Sequence, residues 1–369
     1  MHIQRLISCL VLAVVLAAIV SIPASAAPPS PTPSAAPLQV TDALTRTMTF
    51  AQPPQRIVAA GKAVRLTIDS LYVFPEGRQR VVAMEGRAPS MMEFLPLVNP
   101  AIDEVEFLEH NAGPEQVAAT RPDAVILKSY LANKLGRPIE QLGIPVVYVD
   151  LETPEQFYRD LTTLGQLFAN PARAEEVVAF FQTRVERVAT ALNDLTDNQK
   201  PRVLLLQHSD QGSQVAFSVP PATWIQTTLV EMAGGRPVWL DAAEGGGWTV
   251  VNFEQIASWN PDVICVISYT GDPTAVTAAL KDDSSWQVLA AVKNGRLLAF
   301  PTDFAGHSWD QPDTRWILGL TWLAQQLHPE RFATLDMMDE VYALFGQLYD
   351  LDPATIESGI LPVLRGDFD

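Results

Sequence analysis

The stretch "EQVAATRPDAVILKSY", residues 115–130, has a second version at 254–269, "EQIASWNPDVICVISY". Seven of the sixteen positions are identical at an offset of 139 residues, and most of the rest exchange one apolar residue for another. In each version a Glu opens a short helix, Pro-Asp ends it, and an apolar, largely β-branched run follows as a strand. Helix, turn and strand recurring in the same order one lobe apart predict a duplicated α/β unit.

Working outward, "RIVAAG" from Arg56, "RVVAM" at 80–84, "AVILK" at 124–128 and "PVVYV" at 145–149 read as buried strands with helical patterns between them. The second half repeats the rhythm with "RVLLLQ" at 202–207, "DVICVIS" at 262–268 and "RLLAF" at 296–300. Strands alternating with helices are the pattern of a parallel sheet covered on both faces. "LQVTDALTRTMTF", 38–50, alternates around a turn as a β-hairpin does. The longest helical pattern, 153–195, joins the halves: Thr153 suits a cap, Pro154 a first helical position, and Phe157, Leu161, Leu164 and Phe168 recur at helical spacing. Asn170-Pro171 interrupts it, so a kink or two helices end to end are expected in a stiff bridge.

The fold class expected is therefore α/β, two Rossmann-like lobes with central parallel sheets joined by a long rigid helix. The boundaries follow: 1–26 a signal peptide, 27–37 a Pro/Ser/Ala-rich linker, 38–152 the N-terminal lobe, 153–198 the bridging helix, and 199–369 the C-terminal lobe with terminal helices. A chain of 369 residues suits two domains, and 48% hydrophobic with 18% charged residues describes a globular protein. A net charge of −17 excludes a nucleic-acid groove, which needs basic patches.

Arg5, the apolar run Leu6–Ile22 and "ASA" at 24–26 read as an export signal. An uncleaved anchor is the alternative, since 17 apolar or small residues lie at the lower margin of a bilayer span. "LISC" at 6–9 lacks the apolar stretch before Cys9 that lipid attachment requires. Once the signal is removed only Cys265 remains, in the apolar run "VICVIS", where a thiol packs rather than reacts. The destination expected is periplasmic or extracellular and membrane-associated.

The order of parts resembles the substrate-binding proteins of ABC importers for iron-siderophores, haem and cobalamin, the periplasmic-binding-protein class with two lobes bridged by one long helix. The likeness rests on "VTDALTRTMTFAQPPQRIV" at 40–58, both "EQ…PD" copies, and "SWDQPDTRWILGLTWLAQQLHPERF" at 308–332, and covers roughly residues 38–350. Thr45 departs from it, where the family's opening hairpin has Gly. In the family one acidic residue on each lobe docks onto arginines of a two-fold symmetric permease dimer. The residues matching those positions are Glu115 and Glu254, and a duplicated lobe on a monomer supplies two equivalent anions for such a partner. The bland alternative is that Glu in a helix's first turn is favoured by the macrodipole whatever its neighbours.

Two facing lobes make a cleft lined by the loops after the strands. Lys62, Arg65, Arg87 and Lys128, with Tyr130, fall on the first-lobe side; His208, Trp248, Tyr269, His307 and Trp309 fall on the second. Cations facing aromatic rings suit an anionic chelate with a broad body. The expected cargo is a small-molecule metal chelate such as a ferric siderophore, any metal arriving with the cargo, and the protein needs no cofactor of its own. An oxyanion such as molybdate or tungstate is the alternative, because "SWDQPDTRW" also resembles members assigned to such anions. His110, His208, His307 and His328 form no His-rich loop, so no direct metal site is expected. "HSD" at 208–210 lacks a GxSxG elbow and any convergent partner, which leaves a secreted hydrolase the weakest reading and catalysis unexpected. A helical bridge predicts only a small rotation between the lobes on binding.

Overall fold

The computed structural model describes residues 37–86, 88–211, 214–243, 245–304 and 306–368. The signal peptide expected at 1–26, the 27–37 linker up to residue 36, and Arg87 lie outside the described residues. Within them no helix is long and apolar enough to cross a membrane.

The chain opens with β1 (Leu38–Thr41) paired antiparallel to β2 (Thr47–Phe50). Asp42 closes their turn, its Oδ1 accepting the Leu44 and Arg46 amides at 3.0 and 3.1 Å. Thr45 sits at φ 60°, the left-handed region where glycine is favoured, so the departure from the family pattern falls where a side chain costs backbone strain. There follow β3 (Ile57–Ala59), α1 (Val64–Tyr72), α2 (Pro75–Arg80), β4 (Val81–Glu85), α3 (Pro89–Val98), β5 (Glu106–Leu108), α4 (Pro114–Ala119), β6 (Ala124–Lys128), α5 (Arg137–Gln141) and β7 (Val146–Val149). The five strands form one parallel sheet in the order β5-β4-β3-β6-β7. Every residue of β6 and β7 is buried, which is why their sequences are continuous apolar runs rather than alternating ones.

The bridge expected over 153–198, a stiff helical connection kinked or built of two helices end to end, is arranged differently. Two helices, α6 (Pro154–Phe168) and α7 (Pro171–Ala191), are separated by Ala169 in the left-handed conformation at φ 58°. The Phe157 and Phe181 rings lie 4.8 Å apart; end-to-end helices at 1.5 Å per residue would hold them about 36 Å apart. The pair is thus an antiparallel hairpin, and only α7 continues to the second lobe. Gly165 permits the close approach, since a Cβ there would strike Ala174. An apolar stripe at helical spacing is the same for both arrangements, so the sequence could not separate them.

The second lobe contains β8 (Arg202–Gln211), β9 (Gln214–Val219), α8 (Ile225–Met232), β10 (Arg236–Pro237), β11 (Thr249–Val251), α9 (Phe253–Trp259), β12 (Val263–Ser268), α10 (Pro273–Asp282), α11 (Ala290–Lys293), β13 (Leu297–Ala299), α12 (Trp316–Leu327) and α13 (Met337–Tyr349). Its sheet runs β11-β9-β8-β12-β13, parallel across β8, β12 and β13, with β9 antiparallel to both β8 and β11. The alternation in "QVAFSV" marks β9, which the sequence reading passed over. Helix α13 packs on α12 of its own lobe and also reaches across to the first lobe. Its Phe345 and Tyr349 rings meet Phe94 of α3 at 6.0 and 5.2 Å, and Arg78 donates to the Tyr349 carbonyl at 3.1 Å. Burying that apolar face on the first lobe makes Pro37–Asp369 one compact unit.

The repeated stretch has a structural cause in both copies. Asp123 Oδ2 accepts the Arg56 amide at 2.9 Å, and Arg56 donates to the Thr120 carbonyl at 2.7 Å. Asp262 Oδ2 accepts the Arg202 amide at 2.8 Å, and Arg202 donates to the Trp259 carbonyl at 2.5 Å. Each Pro-Asp therefore ties the end of α4 or α9 to the start of the neighbouring strand, β3 or β8. Arg121 at φ 53° and Asn260 at φ 42° turn the chain at matching positions. Asp262→Ala is expected to cost about 1–2 kcal/mol in urea unfolding, the range for hydrogen bonds lost at a partly exposed site; a loss indistinguishable from zero would remove the latch.

Candidate solute-binding site

In each sheet the strand order reverses at one place, between β3 and β6 and between β8 and β12. Ligands in open α/β sheets sit beyond the carboxyl ends of the strands at such points. In the first lobe a cavity of about 420 Å³ lies beyond the carboxyl ends of β3, β4 and β5, to one side of that reversal, lined among others by Gly61, Lys62, Arg65, Glu85, His110 and Asn111. Glu85, the last residue of β4, is buried; its Oε2 accepts the Gly61 amide at 2.6 Å and its Oε1 the Asn111 amide at 2.8 Å. Gly86 is needed beside it: φ is 75°, and a Cβ would meet His110 Cε1 at 2.8 Å. Lys62 is exposed at the rim, and Tyr130, 59% exposed, donates to its carbonyl at 3.0 Å.

The cationic cluster expected on this wall is largely committed elsewhere. Lys128 is buried, and its Nζ donates to Glu152 at 2.8 Å and to the Asp150 carbonyl. Arg65 holds Gln311 and, at 3.4 Å, Asp313 across the lobes. A buried amine or guanidinium must be paired, and these partners lie far away in sequence. Lys62 makes no ion pair among the described residues, and Arg87 lies outside them.

On the second lobe Tyr269 directly follows β12. Its ring centroid lies 6.0 Å from that of Trp248, which in turn meets Trp224 edge-on at 5.8 Å. Tyr269 donates to Asp310 Oδ2 at 2.6 Å; burial, followed by the Asp310 charge, raises its phenol well above the usual range. His208 lies within β8, not on a loop after it as expected, because the strand continues to Gln211 in a hairpin with β9; its ring packs against Phe217, and burial lowers its imidazole below the ordinary value. Trp309 and His307 do not join this wall. Both are fully buried, Trp309 against Phe368 and His307 edge-on to Phe94 and Phe304. The aromatic partners that enclose them come from α3 and the C-terminal tail, which loop position alone does not reveal.

Beneath the cleft lies a buried ionic cluster that joins the lobes. Arg315 donates to Asp303 at 2.5 Å and to Asp69 of α1 at 2.7 Å, with its Cζ 4.5 Å above the Phe94 ring. Asp313 and Arg65 complete the set. Burial works against the Arg315 charge, yet Asp303, Asp69 and Asp313 together hold the guanidinium well above its range. Burial pushes the Asp69 carboxyl up to about 7 against the pull of Arg315, and raises Asp303 and Asp313 as well. Burial, then Arg65 and Arg315, push His307 well below its usual value.

A carboxyl raised in the fold contributes stability that is fully present below its unfolded value of 3.8 and lost as pH rises through about 7. His307 acts in the opposite sense, losing stability as pH falls below 6.5, but it is common to wild type and variant. Asp69→Asn is therefore expected to gain stability relative to wild type between about pH 4 and about pH 8, followed by urea unfolding across the range. A constant difference would show that Asp69 does not titrate in that window.

His110 and Asn111 were missed because β5 spans only Glu106–Leu108, too short to place the following loop at a sheet end; Glu85 opens a stretch, 85–90, expected to line the cleft, but it was not singled out. The two acids carried over from the resemblance, Glu115 and Glu254, are exposed in the first turns of α4 and α9. Gln116 and Gln255 reach back to accept the amides of Gly113 and Asn252 at 2.9 and 3.0 Å; in α9 the cap is reciprocal, Asn252 Oδ1 accepting the Gln255 amide at 2.9 Å, whereas Gly113 has no side chain to do so.

Residues 85–303 match the family described as periplasmic binding protein. Among curated proteins, the chain is 24% identical over 254 residues to the molybdate-binding protein MolA of Haemophilus influenzae, covering 63% of this chain and 69% of that one. It is 28% identical over 221 residues to the vitamin B12-binding protein of Yersinia pseudotuberculosis, covering 55% of this chain and 75% of that one. Among solved structures, a periplasmic solute binding protein from Veillonella parvula aligns with a TM-score of 0.71 at 22% identity over 88% of this chain and 97% of its own. With the family match spanning more than half of the chain, this protein belongs to the periplasmic binding protein family, the solute-binding proteins that serve ABC importers.

Proposed function

We propose that the protein captures a ferric siderophore or related metal chelate in the cleft between its lobes and delivers it, as an exported monomer, to an ABC permease dimer. The observation that carries the cargo class is the cluster of aromatic rings on the second lobe, Trp224, Trp248 and Tyr269, to which the first lobe adds a cavity of about 420 Å³. Rings bind the broad face of an organic chelate, whereas a small oxyanion needs convergent N–H and cationic donors. Here the Gly61 and Asn111 amides are taken by Glu85, and Arg65 and Lys128 by acids. Lys62 and Tyr130 at the rim and His208 within β8 are the other side chains assigned to the ligand in this reading. The vitamin B12-binding relative supports a chelate cargo, and the molybdate-binding relative favours the second reading, an oxyanion.

Mass spectrometry with metal analysis on protein isolated natively, ligand retained, separates the two. A metal together with an organic ligand is expected; molybdenum or tungsten without one overturns the chelate reading. Trp248→Ala is expected to weaken cargo binding by about 2 kcal/mol, roughly thirtyfold, the scale of a buried aromatic anchor. Unchanged affinity by calorimetry would place the cargo elsewhere.

A further inference from the structure

We propose that Glu85 is a specificity-determining residue that fills a backbone anion nest from within, closing the first-lobe wall to small oxyanions. The inference deepens the chelate reading above and rests on it. Glu85 ends β4, the strand between β5 and β3, so its carboxylate stands between the loops that follow its two neighbours. Those loops present the amides of Gly61 and Asn111, both in the left-handed region at φ 92° and φ 60°. Backbone turned in this way directs N–H groups into a concavity that binds anions. The two Glu85 oxygens take one amide each, at 2.6 and 2.8 Å, and the side chain is only 4% exposed.

A carboxylate held at two oxygens by two N–H donors is the same interaction that one edge of a molybdate or sulfate ion would make. With the donors occupied, an incoming oxyanion meets acceptor oxygens instead of N–H groups. Lys62 at the rim then remains for a ligand whose anionic groups are spread over a larger body. Gly61, Gly86, Val64 and Met91 give the remaining cavity an apolar floor, with His110 over Gly86 and Lys62 at the rim, while the Arg65 guanidinium is held by Gln311 and Asp313.

The test removes the internal anion. Glu85→Ala vacates the nest beside Lys62 and Arg65, and it is expected to raise affinity for molybdate and sulfate by at least about tenfold over wild type in calorimetric titration. Addition of molybdate should then move the Gly61 and Asn111 amide resonances in the variant and leave them unmoved in wild type at millimolar concentration. A merely structural role would speed amide exchange in those loops without creating anion affinity. A folded Glu85→Ala protein with no gain overturns the proposal, as does wild-type protein whose Gly61 and Asn111 amides respond to molybdate. If Glu85→Ala does not fold, Glu85→Gln decides: losing the charge while keeping one acceptor should still give a measurable gain, and none sinks the idea. Failure of the chelate reading is separate, since it is read from the native cargo of the wild type.

Discussion

Arg315→Met should lower the unfolding free energy by about 3–5 kcal/mol, the cost of breaking a buried ion pair by removing one partner. Arg315 is fully buried, donates to Asp303 and Asp69, and lies over Phe94, so one guanidinium satisfies acids from both lobes. Met fills similar volume, which limits any cavity term and leaves the charge imbalance as the main cost. Three acids would then face Arg65 alone, and Asp69, already raised to about 7, would take up a proton to relieve part of the penalty. The loss should therefore be smaller at about pH 5 than at about pH 8. Exchanging Arg315 together with its two direct partners, Arg315→Met with Asp69→Asn and Asp303→Asn, should recover much of the stability, because the charges that remain, Asp313 and Arg65, are paired with each other. Urea unfolding followed by circular dichroism measures each. A loss under about 1 kcal/mol for the single variant would mean that the cluster does not hold the lobes together.

The second large effect concerns delivery. Glu115→Lys combined with Glu254→Lys is expected to reduce uptake through the cognate permease by at least about a hundredfold, since charge-assisted contacts to arginine, once reversed, cost about 2 kcal/mol or more apiece. Both acids are exposed in the first turns of capped helices of matching construction, so the change touches no core and no ligand loop. Cargo affinity should stay within about twofold. Stability should fall by only about 1 kcal/mol in total, as positive charge replaces negative at two helix starts. Uptake measured in vesicles bearing the permease decides it. Normal uptake would return both glutamates to the bland role of favourable first-turn residues.

The cleft walls divide by how their side chains are partnered. Tyr269 follows β12 and Lys62 follows β3, the strands at the reversals of order, while Trp248 comes from the segment before the edge strand β11 and meets the Tyr269 ring. Lys128 and Arg65 lie on the expected loops, but Glu152 and Asp313 neutralise them. Trp309 and His307 also follow a strand of the cleft, and packing from α3 and the tail encloses both. Residue type told which chemistry was possible at each loop; exposure depended on what folded over it.

What the sequence determined by itself is what repeats locally. A strand covered on both faces must be apolar throughout, so "AVILK" and "VICVIS" could be little else, and the duplicated Glu-Gln and Pro-Asp marked one helix start and one latch in each lobe. The tertiary structure alone decided the sense of the α6–α7 hairpin, the docking of α13 on the first lobe, the neutralisation of the cationic wall, and the two loops joined by Glu85. Periodicity reports which face of an element is apolar, because backbone geometry fixes side-chain direction every two or 3.6 residues. It carries no information about which distant group will meet that face, and both burial and charge pairing are set by that meeting.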